Sequence, residues 1–139
     1  MKFILDTMLG HLVTWLRLLG YDTLYGDNLS DDELIEAARR GERVLVTRDR
    51  ELAQRAVKGL VRSVLLDSND VVQGLKKIQS ETGITLVFSM DNSRCPECNT
   101  VLEKLSNQPP RWVCVFCGKQ YWVGGHWRNI SKTLERLQT

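Results

Sequence analysis

The first 83 residues alternate short apolar runs with helix-like segments four times, and this alternation constrains the fold more than any other feature. The apolar runs consist mainly of consecutive Ile, Leu and Val residues, a composition typical of strands covered on both faces. The segments between them carry apolar residues at helical spacing, and each ends near a glycine. Four strand-then-helix units in a row predict an α/β fold with a parallel sheet flanked by helices.

Local signals place the individual elements. Strands are predicted at residues 3–5, 23–25, 43–47 and 63–66. Ser30 and Glu33 have the spacing of a capping box and predict the start of the second helix. Gly20 and Gly41 follow the first two helical patterns and predict left-handed residues that end those helices.

The pattern changes near residue 90, where the apolar periodicity stops and the cysteines begin. We therefore predict an α/β domain at residues 1–89 and a small metal-stabilised unit with a basic, aromatic tail at residues 90–139. The first part holds 12 Lys and Arg against 13 Asp and Glu, whereas the second holds 7 against 4. A basic tail is compatible with a polyanionic partner.

The cysteines form two C-x2-C pairs separated by fifteen residues, a spacing typical of a structural zinc site. They are Cys95, Cys98, Cys114 and Cys117. Two disulfides are the alternative in an oxidising compartment, and iron is the alternative metal for four sulfur ligands. We expect zinc in a structural role, because four thiolates leave no open coordination position and the tail is too short to bury much core.

Aspartates follow the predicted strands. Asp6, Asp49 and Asp67 come at or near the ends of the first, third and fourth strands, and Asp31 and Asp32 begin the helix after the second. Because ligands bind beyond the carboxyl ends of parallel strands, we expect these carboxylates at one edge of the sheet. Such a cluster favours Mg²⁺ or Mn²⁺ and suits phosphodiester cleavage. Helix capping is the structural alternative.

Cationic and aromatic residues suggest contacts with a nucleic acid. In the tail these are Lys119, Tyr121, His126, Trp127 and Arg128, with Trp122 beside them. Such interleaving suits stacking on unpaired bases, whereas burial of a tryptophan between the two units is the structural alternative. His126 is a metal-related group, a general acid or a hydrogen-bonded structural residue. Arg48 and Arg50 flank Asp49, and with Arg17 of the first helix they are candidate phosphate contacts.

Five segments together resemble the Mut7-C RNase domain family. They are FILDTMLG at 3–10, WLRLLGYDT at 15–23, VLVTRDREL at 44–52, RCPEC at 94–98 and YWVGGHW at 121–127. The resemblance covers nearly the whole chain and implies a PIN-like nuclease domain fused to a zinc ribbon, with ribonuclease activity. It places the acidic positions of the family on Asp6, Asp49 and Asp31, with Asp32 as a shift by one, and Asp67 corresponds to the fourth acid of PIN-type sites.

The resulting hypothesis is a metal-dependent ribonuclease that acts on single-stranded RNA through an Asp-bound Mg²⁺ or Mn²⁺. The alternatives are a non-catalytic zinc-containing RNA-binding protein, a toxin-type PIN nuclease paired with a protein antitoxin, and an endonuclease of rRNA maturation. The sequence has no apolar window long enough for a membrane span, and its first residues lack a signal-peptide core. We therefore expect a cytoplasmic protein with RNA, and no membrane, as its partner.

Overall fold

The computed structural model describes residues 1–122 and 125–138, without the side chains of residues 125–127. Its first four strands are β1 (Lys2–Leu5), β2 (Asp22–Tyr25), β3 (Val44–Thr47) and β4 (Ser63–Leu65). The helices between and after them are α1 (Gly10–Leu18), α2 (Asp31–Gly41), α3 (Arg50–Lys58) and α4 (Val71–Thr82). The strands pair in parallel in the order β2-β1-β3-β4, which confirms the predicted α/β fold.

The central strands β1 and β3 are buried on both faces, and their successive side chains point to opposite layers. Phe3 and Leu5 pack into a core shared with α1 and α4, whereas Ile4 packs into a second core formed with α2 and α3. Full burial of an apolar side chain of this size stabilises a fold by about 1.5–3 kcal/mol. The need to fill two cores explains why the strands read as continuous apolar runs.

The start of α2 is as predicted, but its end is shifted by one residue. Ser30 Oγ accepts a hydrogen bond from the Glu33 amide at 3.1 Å, and the Ser30 amide donates to Glu33 Oε1 at 3.0 Å. The left-handed residue after the helix is Glu42, with φ of 53°, because Gly41 still belongs to the helix. Gly20 is left-handed as expected, with φ of +97°, and a Cβ there would lie 2.9 Å from the Asn92 carbonyl oxygen.

The remainder of the chain forms an antiparallel sheet and a final helix. The strands β5 (Glu103–Asn107), β6 (Pro110–Val113) and β7 (Gln120–Trp122) pair in that order, and α5 (Gly125–Leu137) follows. Leu134 and Leu137 of α5 pack into the core beside α1 and α4, so this helix returns to the α/β unit. The boundary near residue 90 stays a prediction. Across residues 1–122 and 125–138, no helix has the length and apolarity needed to cross a bilayer.

Candidate active site and metal centre

The strand order creates a crevice between β1 and β3. From β1 the chain passes through α1 to β2 on one side, and the next connection, through α2, crosses back to β3 on the other side. Helices α1 and α3 consequently cover opposite faces of the sheet, and ligands bind at such a switch point beyond the carboxyl ends of the strands. Asp6 directly follows β1 and Asp49 follows β3 by two residues, so both lie at this edge.

A buried hydroxyl connects the two aspartates. Thr47 is fully buried, and its Oγ1 donates a hydrogen bond to Asp6 Oδ2 at 2.9 Å. The same oxygen accepts a hydrogen bond from the Asp49 amide at 2.9 Å. Asp6 Oδ1 accepts a further bond from the Thr7 amide at 2.8 Å. Thr47 was not among the residues predicted from the sequence, although a lone polar residue at the end of an otherwise apolar strand is a usable signal.

Asp49 also caps the start of α3, which is the structural role considered in the sequence analysis. Its Oδ1 accepts hydrogen bonds from the amides of Glu51 at 2.9 Å and Leu52 at 3.2 Å. Within the part of the chain that the structure describes, its Oδ2 accepts no hydrogen bond, and the residue is exposed. Capping therefore fixes the orientation of this carboxyl group and leaves one oxygen available to a ligand.

The acids at the start of α2 are held by a cation, Arg55, that was not predicted from the sequence. Arg55 of α3 lies 3.4 Å from Asp31 Oδ2 through Nη1, and its Nη2 is paired with Asp32. The Asp31 side chain is 44% exposed and that of Asp32 is 85% exposed. Sequence alone gives no signal for this pairing, because it depends on how α2 packs beside α3.

The remaining acid and two arginines also lie at the carboxyl edge. Asp67 follows β4 and is exposed. Arg48 Nη1 donates to Asn69 Oδ1 at 2.6 Å, in the loop that follows Asp67. Arg50 is the first residue of α3 and is exposed. These side chains lie at the same edge of the sheet as Asp6 and Asp49 and present both charges to solvent.

The cysteine pairs form two turns of the same shape. The residue after each pair is left-handed, with φ of 67° at Asn99 and 79° at Gly118. The amide of Asn99 donates to the Cys95 carbonyl at 2.8 Å, and the amide of Gly118 donates to the Cys114 carbonyl at 2.8 Å. Each turn thereby directs two sulfurs toward the same point.

The four thiols suit a tetrahedral metal ion such as zinc. Their Sγ atoms all lie within 4.8 Å of one another, and all four cysteines are free rather than disulfide-bonded. Cys95 Sγ and Cys117 Sγ are 3.9 Å apart, close to the edge of about 3.8 Å that a ZnS₄ tetrahedron with Zn–S bonds of about 2.3 Å would have. Burial opposes ionisation of Cys114, but the amides of Cys117 and Phe116 lower its pKa to about 7. Thiolate is the form that binds metal.

The carboxylates of the described residues form no comparable cluster. Among the described residues, the cysteines are the only group of three or more His, Cys, Asp or Glu whose ligand atoms lie this close together. The aspartates share one edge of the sheet, but their oxygen atoms do not converge as closely as the sulfurs do.

The tail residues expected to bind RNA have diverse environments. Lys119 is paired with Glu97, and Tyr121 is half-buried with its hydroxyl 3.2 Å from Cys95 Sγ. Burial raises the pKa of Tyr121, and the hydrogen bond with Cys95 raises it further. Arg128 is exposed on α5. The predicted roles of His126 and Trp127 concern side chains that lie outside the described residues.

Arg17 was predicted to contact phosphate, but its buried position does not allow this. Its side chain is buried, with 8% exposed, and Nε donates to the Thr23 carbonyl at 2.9 Å. Its Nη1 donates to the Pro96 carbonyl at 2.6 Å. A buried guanidinium that serves two carbonyl groups is not accessible to a phosphate. Arg17 instead fastens the first cysteine turn to the end of α1.

The first cysteine turn docks at the amino edge of the sheet, opposite the aspartates. Asn99 Nδ2 donates to Asp22 Oδ1 at 2.7 Å, and Asn99 Oδ1 accepts from the Thr23 amide at 3.0 Å. Asp22 begins β2 and also pairs with Arg43 at 2.8 Å. Burial raises the pKa of Asp22, but hydrogen bonds from Arg43 and Asn99 outweigh it and lower the pKa overall. The metal centre and the acidic edge are therefore at opposite ends of the strands.

The sequence matches the model of a known protein family. A family model described as the Mut7-C RNAse domain matches residues 1–134, nearly the whole chain, and confirms the resemblance seen in the sequence motifs. Comparisons with curated proteins and with solved structures found no match. The family implies an RNase-type domain that has RNA as its substrate. With its parallel sheet, its four-cysteine centre and a match over this length, the chain belongs to the Mut7-C RNAse domain family.

Proposed function

We propose that the protein is a hydrolytic ribonuclease that cleaves single-stranded RNA with Mg²⁺ or Mn²⁺ held at the carboxyl edge of the parallel sheet. Family membership supports the RNase activity. The observation that carries the choice of site is the hydrogen-bonded Asp6–Thr47–Asp49 arrangement at the switch point between β1 and β3. The four-cysteine centre has a structural role in this proposal.

The open carboxylate oxygens support a divalent cation. Each oxygen of Asp6 accepts one hydrogen bond and retains a second lone pair, and Asp49 is exposed, with no hydrogen bond to its Oδ2 from the described residues. Mg²⁺ is usually held by one or two carboxylates and keeps several waters. Asp6 and Asp49 would hold the ion directly, and Asp31 and Asp67 would assist through water. With two direct ligands, this arrangement does not require the convergence of three or more groups that is seen among the cysteines.

The bound cation would supply Lewis-acid chemistry by stabilising charge on phosphate oxygens and lowering the pKa of water. The protein residues around it orient the substrate. Thr47 holds the Asp6 carboxylate in one position, and Arg48 and Arg50 would contact phosphates beside the scissile bond. PIN-like architecture, which the family resemblance implies, is consistent with acids placed on successive strand ends.

A non-catalytic RNA-binding protein is the second candidate. Arg55 favours it, because its pairing with Asp31 and Asp32 reduces the negative charge that would attract a cation. In that case Asp6 and Asp49 would serve only to organise the ends of β1 and β3.

A cleavage assay separates the two candidates. Zinc-loaded protein is incubated with end-labelled single-stranded RNA in Mn²⁺, in Mg²⁺ and without added divalent ion. We expect cleavage that depends on Mn²⁺ or Mg²⁺ and is lost in Asp6→Asn. Glu42→Gln is the matched control, because it removes an exposed negative charge far from the carboxyl edge. Cleavage that persists unchanged in Asp6→Asn, or RNA binding without cleavage in the wild type, would refute the proposed enzyme.

A further inference from the structure

The antiparallel sheet of the tail has two unlike faces. Arg111 of β6 lies directly opposite Trp122 of β7, and residues paired in this way have their side chains on the same face. Both are exposed, Trp122 by 61%. The next pair, Trp112 and Tyr121, points to the other face, where Trp112 is buried and Tyr121 reaches Cys95. We call the face with Arg111 and Trp122 the outer face.

The inner face already supplies the core of this unit. Trp112 packs edge-on against Phe88 with ring centroids 5.9 Å apart, and its Nε1 donates to the Met90 carbonyl at 3.2 Å. Trp122 is therefore not needed to fill that core. A tryptophan left largely in solvent beside an arginine combines the two residue types that dominate binding hot spots. Leu105, the extra residue of a bulge in β5, is 53% exposed and adds apolar surface.

The cation of the outer face is Arg111. Lys104 pairs with Asp91 and Lys119 pairs with Glu97, so these lysines are neutralised by neighbours. Among the residues that the structure describes, Arg111 has no ion pair or side-chain hydrogen bond. Glu103 lies opposite Val113 and therefore shares the outer face with Arg111, but the two form no ion pair within the described part of the chain. A guanidinium without an internal partner, beside an exposed indole ring, suits an anionic ligand with flat apolar rings.

We propose that the outer face binds single-stranded RNA, with Trp122 stacking on an unpaired base and Arg111 contacting a neighbouring phosphate. The choice of RNA rests on the proposed function, whereas the choice of surface rests on the geometry of β6 and β7. Indole rings stack on every base, but only where the base is not already stacked in a duplex. The surface is separate from the Asp6 edge, because the tail docks through Asn99 at the opposite end of the strands.

Binding is measured by fluorescence anisotropy with the full zinc-loaded chain in an Asp6→Asn background, where RNA stays intact. Trp122→Ala should weaken binding of a labelled single-stranded RNA by about fivefold to a hundredfold, the usual effect of losing one stacked base. Trp122→Phe should bind nearly as well as Trp122, and Trp122→Leu should bind as poorly as Trp122→Ala. The Phe and Leu pair separates stacking from general apolar contact.

Two further variants test the charge and provide a control. Arg111→Gln should lower the slope of log affinity against log salt concentration by about 0.7, the value for one phosphate contact on a single strand. Phe116→Ala removes another exposed aromatic side chain, 80% exposed on the second cysteine turn, and should retain the affinity. Zinc content and circular dichroism establish that each variant is folded. Should Trp122→Ala lose zinc, the Phe and Leu variants and the salt slope decide.

Unchanged affinity in Trp122→Ala, full affinity in Trp122→Leu, or equal losses with duplex RNA would overturn the inference. A wild-type dimer that Trp122→Ala converts to a monomer would identify a second copy of the chain as the occupant and would also overturn it. The two proposals fail separately. Trp122-dependent binding without cleavage refutes the ribonuclease alone, whereas cleavage without Trp122-dependent binding refutes this surface alone.

Discussion

Replacement of Thr47 by valine tests the bridge between the two aspartates with almost no change in side-chain shape. The hydroxyl is fully buried, donates to Asp6 Oδ2 at 2.9 Å and accepts from the Asp49 amide at 2.9 Å. In Thr47→Val the part-buried Asp49 amide and the Asp6 carboxylate both lose this hydrogen-bond partner, and such a loss at a charged group costs about 1–3 kcal/mol. We expect the free energy of unfolding to fall by that amount in urea titrations.

Thr47→Val should also reduce cleavage by the protein that remains folded. Without the hydroxyl, the Asp6 carboxylate keeps only the Thr7 amide as a hydrogen-bond partner and can rotate away from Asp49. Loss of a residue that orients a metal ligand typically costs about 10–100-fold in metal affinity or activity. We expect a loss of that size in cleavage by folded protein, measured with saturating RNA across a Mn²⁺ titration.

Thr47→Ser is the matched control. It retains the hydroxyl and removes one methyl group, at a cost of about 0.8 kcal/mol or somewhat more in a packed core. The serine variant should therefore lose stability but keep most of its activity, whereas the valine variant loses both. Equal activity losses in the two variants would show that packing, not the hydrogen bond, matters at this position. Full activity in Thr47→Val would refute the bridge as a positioning device.

Three other perturbations have directions fixed by the structure. Arg55→Gln removes the cation that pairs with Asp31, so Mn²⁺ binding measured by calorimetry should become tighter. The free energy of unfolding should change by less than about 1 kcal/mol, because the pair is exposed. Weaker Mn²⁺ binding would contradict this expectation. Removal of zinc should increase hydrogen exchange at the Thr23 amide, because this amide donates to Asn99 beside the first cysteine turn. Unchanged exchange would show that the first cysteine turn docks on β2 without the metal. The pKa of Asp22 is lower in the folded protein than its usual value, so its contribution to stability is present above that value and is lost as the pH falls through the folded pKa. Asp22→Asn should accordingly flatten the acid side of the stability–pH curve, and curves that stay parallel would contradict this.

The sequence was sufficient for the architecture because that architecture follows from local and periodic signals. The continuous apolar strands required burial on both faces, and strand-then-helix order required a parallel sheet whose carboxyl ends share one edge. Ser30 and Glu33 marked the start of α2 because a capping box is completed within four residues. The placement of Asp6 and Asp49 on the same edge follows from the same reasoning.

The sequence was insufficient where a side chain is defined by a distant neighbour. Arg17 was expected to contact phosphate, but the first cysteine turn folds back over the end of α1 and buries it. Arg55 lies 23 residues from its partner Asp32, and their contact depends on the packing of α2 beside α3. Trp122 lies on the outer face because β7 pairs with β6 in the register that sets it opposite Arg111. The alternation of side chains within β7 alone does not specify this register.

Titration with Mn²⁺, followed by NMR of the backbone amides, tests most directly whether a divalent cation binds between Asp6 and Asp49. The paramagnetic ion broadens the signals of nearby nuclei, so its position is read without reference to activity. We predict that the amides of Thr7 and Asp49 broaden at the lowest Mn²⁺ concentrations and that Asp6→Asn abolishes this effect. Broadening that begins at the opposite edge, around Asp22, or that persists in Asp6→Asn would contradict the proposed site.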